Sequence, residues 1–92
     1  PVLGCVWSNE ISKNSFGEYI CVQGIISDVF GNNESGSTRI TFKDASGFYL
    51  IDNDYYYPNL SSGDCVYASG LLRVNDNDVF FIQVRGGLQI CP

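Results

Sequence analysis

Two ten-residue stretches of this chain share a pattern that few folds accommodate. GEYICVQGII (17–26) and GDCVYASGLL (63–72) each read glycine, acid, any residue, apolar at alternate positions, then a second glycine and two aliphatics. Alternation at period two marks a strand with one face in a core. A glycine inside such a strand marks a bulge or a sharp bend. Each copy also carries a cysteine, Cys21 and Cys65, at places two apart within the motif.

The rest of the chain reads around those two bent strands. EYICVQGIISDVF (18–30) runs into a polar loop, GNNESGS (31–37). TRITFKD (38–44) alternates again, with Ile40 and Phe42 on one face and Arg39, Thr41 and Lys43 on the other. DASG (44–47) is a tight-turn sequence and FYLID (48–52) the returning strand. NDYYYPNLSSG (53–63) has no period and reads as a connection. DCVYASGLLRV (64–74), the tip NDND (75–78) and VFFIQVR (79–85) form a last hairpin before GGLQICP. Before all of these, WSNEISKNSF (7–16) predicts a short helix capped by Ser8, ended by Gly17 and anchored by Trp7, Ile11 and Phe16. Five strands without βαβ alternation argue against a parallel sheet and for a small closed barrel, which has no free sheet edges.

Ninety-two residues make one domain, and 45% apolar residues suffice for a core. No apolar run approaches the roughly 20 residues that cross a bilayer, so the chain reads as soluble, with no membrane insertion. It lacks Met and starts on Pro1, which reads as a processed mature form or an excised domain. Four cysteines in so short a chain suggest two disulfides; free thiols and bridges between chains remain the alternatives. Two sequons, at Asn33 and Asn59, fall in polar stretches and are glycosylation candidates. Together these signs predict an exported protein, extracellular or on a cell surface.

Chemistry finds little to use. There is no histidine, which removes the usual general base and every Ser-His or Cys-His arrangement. The aspartates sit at turns and strand ends, where Asp caps and turns the chain. Cysteine gaps of 16, 44 and 26 residues, with no Cys-x-x-Cys, argue against zinc. Asn75–Asp78 and Asp52–Asp54 gather hard oxygen ligands without the spacing of a calcium loop. Gly86-Gly87 is too short for a phosphate loop. No enzymatic activity, metal or cofactor is expected. A net charge of −5, with Lys13, Arg39, Lys43, Arg73 and Arg85 the only basic residues, counts against nucleic acid.

With VQGII, ITFKDASG and GDCVYASGLL in these positions, the chain resembles an OB-fold domain, over roughly residues 16–90. CVWSNE and LQIC at its ends resemble those of small exported bacterial or archaeal OB domains, nucleic-acid-binding-like in fold. The resemblance implies an all-β, five-stranded Greek-key barrel with a short N-terminal helix: one domain, 1–92, with an N-terminal segment 1–16, the barrel at 17–85 and a C-terminal tail 86–92. It sets the first and fourth strands antiparallel and adjacent. With Ile20 opposite Val66, which centres the two motifs on each other, the resemblance implies the pairs Cys21–Cys65 and Cys5–Cys91. It also implies a ligand face offering Arg39, Thr41, Lys43, Tyr49 and Arg73, suited to single-stranded nucleic acid or an oligosaccharide.

The function expected first is therefore a disulfide-stapled, non-enzymatic module acting by protein–protein contact, either a cell-surface domain or a self-assembling subunit of an extracellular filament. Tyr55, Tyr56, Tyr57 and Phe81 are the contact candidates, since neighbouring aromatics in a loop or strand cannot all face a core. The ligand face is the alternative.

Overall fold

The structure, a computed structural model, describes residues 1–92. Six strands follow in order: β1 (Cys5–Trp7), β2 (Tyr19–Asn32), β3 (Ser37–Phe42), β4 (Ala45–Asp52), β5 (Cys65–Val74) and β6 (Phe80–Ile90). Strands β2, β3, β4, β6 and β5 lie side by side in that order, and β5 pairs back onto β2, closing a five-stranded barrel. β1 lies outside it, along β2. β2 serves two neighbours, as its length requires: Tyr19–Ile25 pairs with β5 and Ile26–Asn32 with β3.

Alternation fills the barrel. Val22 and Ile26, Ile40 and Phe42, Phe48 and Leu50, Val66, Ala68 and Leu72, and Ile82 and Val84 all point inward and are buried. Phe48 stacks on Phe42 inside, with ring centroids 6.3 Å apart.

The expected helix over 7–16 is absent. Two single 3-10 turns, Ser8–Glu10 and Lys13–Ser15, stand in its place. Asn and Ser favour local bonds over a continuing helix: the Ser12 hydroxyl accepts from the Asn14 N–H, and the Glu10 carboxylate from the Trp7 N–H. The first turn presses onto β2 instead. A Cβ on Gly24 would come within 2.5 Å of the Ser8 hydroxyl and 2.7 Å of the Phe42 ring. A Cβ on Gly70 would overlap the Gln83 carbonyl of β6. The two motif glycines thus admit different neighbours, and nothing centres the motifs on each other.

That corrects the disulfides. Ile20 faces Gly70, and Val66 faces Gly24, a slip of four residues from the expected register. Cys21 therefore lies opposite Ser69, and Cys65 opposite Ile25, about 13 Å apart along the strands. The bonds are Cys5–Cys21 and Cys65–Cys91, with Cα separations of 4.4 and 5.4 Å. Each ties laterally adjacent strands: β1 runs parallel to β2 with Cys5 opposite Cys21, and Cys65–Cys91 lies one step beyond the Val66–Ile90 pair of β5 and β6.

Two further expectations change. Parallel pairing does occur, between β1 and β2 and between β4 and β6. The expected tail, 86–92, is strand as far as Ile90. β6 reaches that length by carrying Gly86 and Gly87 at φ of 80° and 85°. Two steps on β5, from Tyr67 to Ser69, oppose four on β6, from Gln89 to Arg85, so this pair bulges out of the ladder.

Candidate functional site

The outward positions of the barrel converge on one rung. Asp28 faces Thr41, Thr41 faces Tyr49, Tyr49 faces Phe81 and Phe81 faces Arg73, crossing β2, β3, β4, β6 and β5 in turn. The Tyr49 ring stacks on Phe81 at 5.1 Å and 6°, and the Arg39 guanidinium sits 3.8 Å from its centroid. These partners come from β6 and β3, the strands that flank β4. Tyr49 is left only 8% exposed, and its hydroxyl accepts from Asn75 Nδ2 at 3.2 Å. Arg73 donates to Gln83 Oε1 at 3.1 Å. Thr41 shares a 2.7 Å hydrogen bond with Ser27 and donates to the Asp28 carboxylate at 3.5 Å. Beside the rung runs a groove of about 400 Å³, lined by Arg39, Thr41, Tyr49, Ser46, Gly47 and Val79 among others.

The face implied by the resemblance is thus assembled for Arg39, Thr41, Tyr49 and Arg73. Lys43 does not join it, because it sits in the turn between Phe42 and Ala45. Phe81, expected with the tyrosine loop, belongs to this face. The alternation of strand β6 explains why: Phe80 turns to the core edge, under Phe16 at 6.4 Å and Lys13 at 5.3 Å, and Phe81 turns out.

The three tyrosines form a second region at one end of the barrel, and they part company. Tyr57 closes that end. Its hydroxyl donates to Asp52 Oδ2 at 2.7 Å and accepts from the Leu88 N–H at 2.8 Å. Burial, reinforced by the Asp52 carboxylate and only partly offset by the Leu88 bond, pushes its pKa up to about 12. The loop is pinned by Thr38, whose buried hydroxyl donates to the Tyr55 carbonyl at 3.1 Å and accepts from the Tyr57 N–H at 3.0 Å. Tyr56 packs over Gly31, where a Cβ would collide with its ring. Only Tyr55 stays exposed, at 58%, its ring 4.6 Å from that of Tyr57.

Thr38 and Asp52 were the missed residues here. They continue the inward series 38-40-42 and 48-50-52, are paired across β3 and β4, and are buried. A polar residue at an inward position needs a polar partner, and that signal was available in the pattern. Asn33 and Asn59 are exposed, as a glycan acceptor must be. The Asn75–Asp78 stretch closes on itself, the Asn75 side chain accepting from the Asn77 and Val79 N–H groups. No helix is long and apolar enough to cross a membrane.

Neither a family model nor a curated protein matches the sequence. Solved structures do. OBody AM1L10 bound to hen egg-white lysozyme matches with a TM-score of 0.65 at 18% identity, over 96% of this chain and 93% of that one. OBody AM3L09, also bound to lysozyme, matches at 0.62 and 16%, over 98% and 96%. OBody AM2EP06, in the same kind of complex, matches at 0.62 and 16%, over 92% and 90%. At such identities the likeness is one of fold, and it fits a closed five-stranded OB-like barrel.

Proposed function

We infer that the chain is an exported, non-enzymatic binding module that takes a protein partner on the Arg39–Tyr49–Phe81–Arg73 face. The carrying observation is the preassembled stack of Arg39, Tyr49 and Phe81. Arginine and aromatic side chains held rigid in a shallow groove are the composition of protein-binding hot spots. Two disulfides suit an oxidising environment outside the cell. The OBody structures, bound to lysozyme, support a barrel of this shape as a protein binder.

Single-stranded nucleic acid is the weaker occupant of this face. Stacking needs a free aromatic surface, whereas Tyr49 already has Arg39 and Phe81 against it. Asp28 shares the rung. A photo-crosslinking residue placed at Thr41 or Gln83, compared with one at the exposed Asn14, tests the reading in native material. Protein adducts from the two face positions and not from Asn14 support it; adducts from Asn14 alone, or retained nucleic acid, overturn it.

Self-assembly is the second reading within this class, favoured by one observation. β1 is a sheet edge whose surroundings leave Leu3, Val6 and Trp7 exposed. Electron microscopy of unreduced native material decides it: ordered polymers support a filament subunit, and uniform small particles remove it.

A further inference from the structure

The tyrosine end of the barrel carries a feature that the face does not need. A cavity of about 600 Å³ opens between the 52–57 loop and the bulge of β6, with Asp52, Asp54, Tyr55, Tyr57, Gly86 and Gly87 among its walls. No lysine or arginine lines it. Asp52 is only 3% exposed, and its hydrogen bonds come from a neutral hydroxyl and the Asp54 N–H. A carboxylate so buried ordinarily has a cation beside it. The Tyr55 and Tyr57 rings, 4.6 Å apart and tilted at 51°, line the same space, and an aromatic ring attracts a cation. Gly86 and Gly87 keep the opposite wall bare, and a Cβ on Gly87 would lie 2.9 Å from the Tyr57 hydroxyl. Continuing past the same tyrosines is an apolar groove of about 300 Å³ along Pro58, Leu60 and Ile90.

We propose that this end is a second binding site, built for a lysine side chain of a protein partner. The ammonium sits between the Asp52 and Asp54 carboxylates and the tyrosine rings, and the aliphatic stem lies along Pro58, Leu60 and Ile90. Carboxylates and rings both attract the head, and an apolar groove takes the stem that a lysine keeps out of water. The chain's own charge of −5 draws a basic partner toward it. This site is independent of the barrel face.

The test is an NMR titration of the isotope-labelled protein with N-acetyl-lysine methylamide and its neutral isostere, N-acetyl-norleucine methylamide. Saturable shifts at the Tyr55, Gly86, Gly87 and Leu88 amides are expected with the lysine probe, and about tenfold weaker binding with norleucine. Asp54→Asn and Tyr55→Ala, both at exposed positions, each weaken the lysine probe about fivefold or more. Asp76→Asn removes the same charge at the distant hairpin tip and leaves the affinity unchanged. Equal binding of both probes, shifts centred elsewhere, equal loss in Asp76→Asn, or no saturable shift overturns the proposal.

Discussion

Tyr57 holds more of this molecule together than any other exposed-looking residue in its stretch. Its hydroxyl joins a buried carboxylate on β4 to a backbone N–H on β6, two strands that diverge at this end. Tyr57→Phe leaves both partners short of a bond, and unfolding should cost about 1–3 kcal/mol less, read as a lowered denaturant midpoint. Titration gives a second handle. The folded pKa, about 12, lies above the ordinary 10.0, so the native state favours the neutral phenol. The stability this contributes is complete below pH 10 and drains away as pH rises toward 12. Between about pH 9 and about pH 11.5, the wild type should lose more stability than Tyr57→Phe. An equal loss in both would place the alkaline sensitivity elsewhere.

The strands were legible element by element, and their partners were not. Ile40, Phe42 and Leu50 announce the inward face through period two alone, and Arg39 and Thr41 the outward one. Register is decided by what each glycine must admit, and Gly24 admits a 3-10 turn that the cap and stop signals at Ser8 and Gly17 had presented as a helix. Hence the outward row of Arg39 and Thr41 was legible, Lys43 was wrongly added to it, and the disulfides were mispaired: β1, three residues long at the start of the segment read as a helix, hid the partner of Cys21. The same topology separates the two bonds in consequence. Peptide mapping of unreduced protein should recover Cys5 linked to Cys21 and Cys65 linked to Cys91. Converting either pair to serine should cost about 3 kcal/mol by the entropy of loops of 16 and 26 residues. Amide exchange should then tell them apart, faster exchange staying at β1 and Val22 in the first case and spreading along Val66 and Ile90 in the second.

At the scale of the whole molecule, charge and shape pull in different directions. A barrel with arginines beside aromatics on its face has the outline of a single-strand binder, and the resemblance to OB domains, not composition, gave that reading its place. The molecule around that face is acidic: five basic residues against ten acidic ones, with Glu34 at the β2–β3 tip and Asp76 and Asp78 at the β5–β6 tip. A polyanion approaching Arg39 and Arg73 must come in under this field, and two cations release few counterions. Lys43, held in the β3–β4 turn, adds nothing to the rung. A fluorescence-anisotropy titration with single-stranded DNA should therefore show no binding tighter than about 10⁻⁴ M at physiological salt. Lowering the salt should not rescue it, because the repulsion between like charges grows as screening falls. Submicromolar binding that weakened steeply with salt and vanished in Arg39→Ala would transfer the face from a protein partner to nucleic acid. It would leave the lysine site at the other end untouched, since that site depends on Asp54 and Tyr55.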